Sequence, residues 1–467
     1  MQAVKKSPSE HGFGGLLAAL RRAFAEFLLV PTLIITGFLF LALGSYLIDS
    51  VQIVWLRPFR DFLQSHVFAN SEATSGLLEA IAAGIITLTS ITISLLLVAV
   101  QQSAGSMTGQ VFDQFLRRRT NQIYFGFFVG LALYSLITLA TVNDPFNPVF
   151  GASIAFCGTV VALYLLLLLL YTTVHQMRSE EIIEAIHSHI LAARTGQLEF
   201  IAKTRPASAY IGAATIPVSS QHHGNVTRVD IDAIAEALRK IDGEVTLLVP
   251  IGAFVAFGDH IAQVDAANIH DAEAIGKVVE RAVELERERD ITLDPAFGIT
   301  QIETIAWTSI STSKSNPAPG LNSIQCLRDV MSRWSEEDDQ PAAENPAAVV
   351  YRDNVFERLL ETFETLAIVS SESLQHQNYI EVLRTFVLMF DRIPERYRPR
   401  AEDVILRILP VLGEFALTYE LDKTLAELES TLASAGRQAT AGAVRQAHEA
   451  FSDSVGKLGS RATRANP

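Results

Sequence analysis

VFGASIAFCGTVVALYLLLLLLY, residues 149–171, carries no charged side chain across 23 positions. A helix needs about 20 apolar residues to cross a bilayer, because in hydrocarbon each backbone polar group must find its partner within the segment. This run predicts a membrane-spanning helix. Working back toward the amino terminus, 27–47, 80–100 and 123–142 are equally free of charge and long enough to cross. The apolar core of the first is longer than that of a secretory signal and a long segment precedes it, so it reads as a retained anchor. The expected fold is an α-helical polytopic membrane protein with four transmembrane helices, a cytoplasmic α+β domain and a C-terminal helical bundle.

Basic residues in short loops set the orientation. Lys5, Lys6, Arg21 and Arg22 precede the first span, Arg117, Arg118 and Arg119 lie between the second and third, and Arg178 follows the fourth. The loop from Asp49 to Gly76 has only Arg57 and Arg60 as bases, and the turn at Asp144 has none. Four crossings with both termini cytoplasmic satisfy this pattern. Leu16, Leu17, Leu20 and Phe24 recur at helical spacing beside Arg21 and Arg22, which fits an interfacial helix or an extension of the first span.

The chain has 467 residues, 49% hydrophobic, with a mean hydropathy of +0.26. Of 37 basic and 51 acidic residues, 9 and 8 precede Tyr171, so the remainder holds 28 basic against 43 acidic side chains. An acidic surface repels nucleic acid, which is excluded as a broad partner. Cys157 lies in an apolar run and Cys326 in the polar region, so a disulfide framework is not expected.

The second span is unusual for its Thr87, Thr89, Ser90, Thr92 and Ser94. At about 100° per residue, Glu79, Ala83, Thr87, Ser90, Ser94 and Gln101 share a narrow arc. Such a face lines an aqueous path in a homo-oligomer, or it is a helix-packing surface, the commoner use of small and hydroxyl residues in lipid. Gly126 and Gly130 give the third span a packing surface of the same kind. The Arg117–Arg119 run reads as a topology determinant or an anionic-lipid contact, the former being the commoner role.

The organisation expected is a membrane domain over 1–175, a cytoplasmic α+β region over 176–337, and a C-terminal helical region over 338–467. Ile182, Ile183, Ile186, Ile190 and Leu191 predict a helix leading out of the membrane, and 204–224 reads as loop or irregular strand. Between about 224 and 265 lies a small β-rich module. Val226 and Val229 read as a short strand, Asp232 as the cap of a helix through Ile234 and Leu238, and 244–249 as a strand. Gly252 and Gly258 then bracket another. The spacing is similar to barrel-sandwich modules that carry biotin or lipoate, but the turn has no lysine, so covalent cofactor attachment is rejected and a β-rich docking module remains. Helices follow from 295 and from 321 to 334, then at 356–368, 374–390, 401–417, 422–432 and 439–458.

No zinc-protease helix, phosphate-binding loop or nucleophile elbow occurs. His222 and His223 fall in a loop, where solvated histidines are commoner than ligands, and His187 and His189 point to different faces of a helix. Neither cofactor nor metal is expected, and the sequence argues against an enzyme.

The residues from Leu97 to Gln102, from Phe115 to Gln122, and on through Gly126 and Gly130 to Tyr134 and Ser135 resemble the bacterial membrane proteins of domain of unknown function family 2254. Arg21 to Pro31, Val229 to Val264, Asp294 to Gln301 and Pro317 to Cys326 carry the likeness further, over about Leu16 to Val330. Where members have an asparagine-aspartate-proline step, this chain reads Gly320, Leu321, Asn322, Ser323, Ile324. The resemblance implies the bacterial inner membrane and no established activity. Two functions are then open: an oligomeric channel or transporter-like protein using the polar second span, or a membrane-anchored interaction protein whose cytoplasmic domain binds a protein partner.

Overall fold

The computed structural model describes residues 28–51, 57–66, 68, 70–104, 119–144, 146–176, 179–208, 210, 212–311, 316–337 and 346–454. The chain divides into two compact units, Met1–Arg178 and Ser179–Pro467. The expected interfacial helix at Leu16–Phe24 lies outside the described residues.

The first unit consists of α1 (Leu29–Val51), α2 (Arg57–His66), α3 (Ser71–Ala104), α4 (Arg119–Ala140) and α5 (Val149–Gln176). Four of its segments, Leu29–Val51, Ser71–Leu95, Thr120–Ala140 and Val149–Thr172, are long and apolar enough to cross a membrane. The second begins well before residue 80, since the mixed turns Ser71–Glu79 continue the same helix. In the middle stands α4, packed on α1, α3 and α5. Its Phe128, Leu131 and Tyr134 share a core with Leu78 and Ile85 of α3 and Ala152 and Ala155 of α5.

Glycine sets the closeness of α4 to α1. A Cβ on Gly126 would stand 2.9 Å from the Pro31 Cα, and one on Gly130 would collide with the Phe38 ring. At one end of the bundle the buried Asp49 carboxylate accepts the backbone N–H groups of Phe150 (3.1 Å) and Gly151 (3.0 Å). It thus caps α5 from a different helix, where the orphan amides and the helix dipole both favour an anion. Tyr134 Oη donates to the Gly151 carbonyl at 3.0 Å and ties α4 to the same point.

The second unit opens with α6 (Ser179–Ala202) and then builds two sheets. One is ordered β1 (Ala214–Ser219), β5 (His260–Ala266), β3 (Gly243–Leu247), β7 (Val349–Val350), and the other β4 (Phe254–Val255), β2 (Gly224–Val229), β6 (Val283–Glu286). All pairs are antiparallel except β3 with β7. Helices α7 (Ile231–Lys240) and α8 (Ile269–Ala282) contribute Ile234, Ile275 and Val279 to a core with Val226, Val245 and Val264. The helical remainder is α9 (Pro295–Ser311), α10 (Pro317–Glu337), α11 (Val355–Glu372), α12 (His376–Met389), α13 (Arg398–Ile408), α14 (Tyr419–Ser434) and α15 (Gln438–Ser454).

Several local expectations change. The cap of α7 is Asp230, whose carboxylate accepts the Ala233 N–H at 3.0 Å, while Asp232 pairs with Lys203. A cap must precede the first helical residue, here Ile231. Within 204–224 a regular strand, β1, pairs along β5 with Pro217 inside it, which an edge strand tolerates. Leu374 has φ +62° and separates α11 from α12 rather than starting a helix. Pro410 stands in a 3-10 turn that ends α13 at Ile408.

Candidate functional site

The residues that singled out α3 lie on one side of it. Glu79, Ala83, Thr87, Ser90 and Ser94 are all exposed, whereas Leu78, Ile81, Ala82, Ile85 and Thr92 are buried. The polar face therefore points away from the described helices of its unit. Its hydroxyls are satisfied locally: Thr87 donates to the Ala83 carbonyl (2.9 Å), Ser90 to Ile86 (3.2 Å) and Ser94 to Ser90 (3.0 Å). Each oxygen keeps lone-pair capacity for a further donor. Ile86, Ile93 and Leu97 are exposed beside them, so the face is mixed, and its ionisable members are Glu79 and, seven residues earlier on the same side, the exposed Glu72. Gln101 continues the helix, but its side chain lies outside what is described, as do Arg117, Arg118 and the side chain of Arg119. Gly126 and Gly130 sit inside the bundle against α1, away from this face.

The second unit holds a constellation that sequence reasoning left without a role. In the segment Asp294-Pro-Ala-Phe-Gly, Asp294 accepts the Phe297 N–H at 3.1 Å, and Pro295 takes the first helical position of α9. This is a cap followed by a residue preset for the first turn. The same carboxylate takes two contacts from Arg289, 2.8 Å to Nε and 2.6 Å to Nη2. Arg289 in turn lies over the Phe297 ring, 4.8 Å from its centroid. Gly298 lets α9 approach Ile190 of α6 within the space of a side chain. Gly252, at φ +87°, brings its turn against Asp294 and Arg289 where any Cβ would collide with both. Burial raises the Asp294 carboxyl above its ordinary range, and Arg289 and the backbone amides draw it back.

Gly252 and Arg289 of this cluster border a cavity of about 510 Å³. Arg289, Arg352, Arg358 and Arg400 line it with Glu357 and Glu361. The guanidinium of Arg358 reaches Glu303 of α9, and that of Arg400 reaches Asp403 and Glu361, the latter at 3.4 Å. Behind the segment that carries Arg352, the buried Arg194 pairs with Asp353 at 2.8 Å and lies over Trp334. Tyr351, its hydroxyl 3.5 Å from the Ile251 amide, is pushed up to about 12 by burial and the charge of Asp353.

Other chemistry-bearing side chains serve contacts between helices. His187 Nε2 lies 2.9 Å from Asp329, joining α6 to α10. Burial and the nearby carboxylates of Glu184 and Asp329 raise the Cys326 thiol to about 11. His222 and His223 are exposed, and among the described residues no group of three or more His, Cys, Asp or Glu is placed to hold a metal ion.

The family model described as a predicted membrane protein, DUF2254, matches residues 25–379. It reaches α12, beyond the Val330 limit of the resemblance read from sequence. Among curated proteins, an uncharacterized protein of Mycobacterium bovis and one of Mycobacterium tuberculosis are each 22% identical over 271 residues. Those alignments cover 55% of this chain and 51% of each relative, so the chain spans about half the length of the curated relatives it matches. No solved structure matches it.

Proposed function

We propose that this chain, which belongs to the DUF2254 family of predicted membrane proteins, assembles as a homo-oligomer in a bacterial inner membrane and passes ions or small polar solutes along α3. Its termini and second unit are cytoplasmic in this reading. The observation that supports it is the outward exposure of Glu79, Ala83, Thr87, Ser90 and Ser94, a polar face that the described helices leave uncovered. A second copy turning the same face inward would surround a column of hydroxyls with a carboxylate at one end, an arrangement suited to small hydrated species. Reconstituted vesicles should show solute flux that Thr87→Leu with Ser94→Leu abolishes. A verified oligomer without flux contradicts the reading.

A second reading, a membrane-anchored interaction protein, is favoured by exposed apolar side chains around β4: Leu248, Phe254 and Phe257. Isolated large apolar groups on a surface are ordinary, but three on one turn region suit a protein partner. Full-length protein solubilised from its own membranes should retain a partner that Phe257→Ser releases. Equal recovery with both chains counts against this role.

A further inference from the structure

We propose that the arginine-lined cavity of the second unit binds a soluble phosphorylated small molecule, such as a nucleotide, through Arg289, Arg358 and Arg400. The site is separate from α3, and its occupancy does not depend on whether that helix lines a path.

Four arginines line the cavity with two glutamates, Glu357 and Glu361. Three of the four are held from outside the lining, Arg289 by Asp294, Arg358 by Glu303 and Arg400 by Asp403, and within it Glu361 contacts Arg400 at 3.4 Å and Arg358 at 3.8 Å. These contacts fix the forks in place, and a fixed planar fork is the group best matched to phosphate oxygens. The amino-terminal turn of α11 also opens here, with its Val355 N–H held by the Asp353 carboxylate at 3.1 Å and no capping bond from Asn354. Pro250, Ala253 and Ala296 add apolar lining for an organic body. The volume of about 510 Å³ lies within the range of small-molecule sites.

An ion-pair lattice that only ties helices together is the competing explanation. The carboxylates behind the arginines do cancel their long-range field, so recognition rests on short contacts and not on steering. Against a mere lattice stand the open concavity and the excess of arginine on its wall. Arg352 is 80% exposed at the rim, and its pair with Glu357 is weak enough to open for a ligand.

The test uses the full chain in phosphatidylcholine nanodiscs, titrated calorimetrically with ATP and with pyrophosphate at low salt. Saturable binding is expected, weakened about tenfold by Arg358→Gln or Arg400→Gln, the cost of one charge-assisted contact. Ala296→Glu should abolish binding while leaving the unfolding temperature unchanged, because an acid in the first turn of α9 suits the helix dipole. Should that variant not fold, Ala253→Asp, at another lining position, is expected to do the same. No binding of ATP, pyrophosphate or inorganic phosphate overturns the proposal, as does binding that persists in the blocking variants. Loss of ATP binding when phosphatidylglycerol enters the nanodisc assigns the arginines to a lipid headgroup and also overturns it.

Discussion

Replacing Asp294 by alanine removes two functions at once. The carboxylate caps α9 through Phe297 and holds Arg289 by two contacts, in a site where its side chain is 4% exposed. Loss of a cap costs about 1 kcal/mol. Stranding the partner of a buried pair costs about 3–5 kcal/mol, and that figure falls here because Arg289 remains 23% exposed and can turn to water. Together the change is worth roughly 3 kcal/mol. For a unit of this size, about 2 °C accompanies each kcal/mol, so its unfolding midpoint should fall by about 6 °C. Fluorescence of Trp334, buried under Arg194, reports this unit in the intact detergent-solubilised chain. The diagnostic step is the double variant Asp294→Ala with Arg289→Met, which removes the stranded charge and should recover part of the loss. A drop under about 1 °C for the single variant, or a double variant with fully additive losses, refutes the reasoning.

Gly130→Ala drives a methyl into the Phe38 ring and should weaken the first unit by about 1–3 kcal/mol in detergent unfolding, whereas Gly84→Ala, with open space around it, should leave it unchanged or slightly firmer. Asp49→Ala leaves the Phe150 and Gly151 amides without their acceptor and should cost about 2–4 kcal/mol, while Asp49→Asn, keeping one carbonyl oxygen, should lose about half of that. The Cys326 thiol, raised to about 11, should react with iodoacetamide near neutral pH about a hundredfold more slowly than in the unfolded chain, and its rate should climb with pH through that value. Equal rates in folded and unfolded protein would show that the thiol is not shielded.

The spanning helices were legible because hydrocarbon admits so few structures that a run of uncharged residues nearly dictates one. Their ends were less so: Ser71–Glu79 contains acids and hydroxyls, yet it continues α3 without a break. Strand β1 was hidden by Pro217, which argues against a strand unless the strand is known to lie at an edge. Helix α8 and strand β6 went unread because Ala282 passes directly into Val283 with no glycine or proline between them. For α3 the helical period was enough to group Glu79, Ala83, Thr87, Ser90 and Ser94, but only the packing of Leu78 and Ile85 reveals that this face turns outward. The cavity had no local signature at all, since its arginines come from positions 289, 352, 358 and 400 and meet only through topology. One clue was available: Asp-Pro followed by Phe-Gly is the pattern of a capped helix that approaches a neighbour closely.

The outward polar face of α3 is the claim on which the functional account stands. Spin labels placed singly at Ser90, Ser94 and Ile85 of the reconstituted chain measure it through collisions with a water-soluble nickel complex and with lipid-soluble oxygen. The account predicts nickel access at Ser90 and Ser94 and access to neither reagent at Ile85. Oxygen access without nickel at Ser90 and Ser94 would place that face in lipid and contradict it.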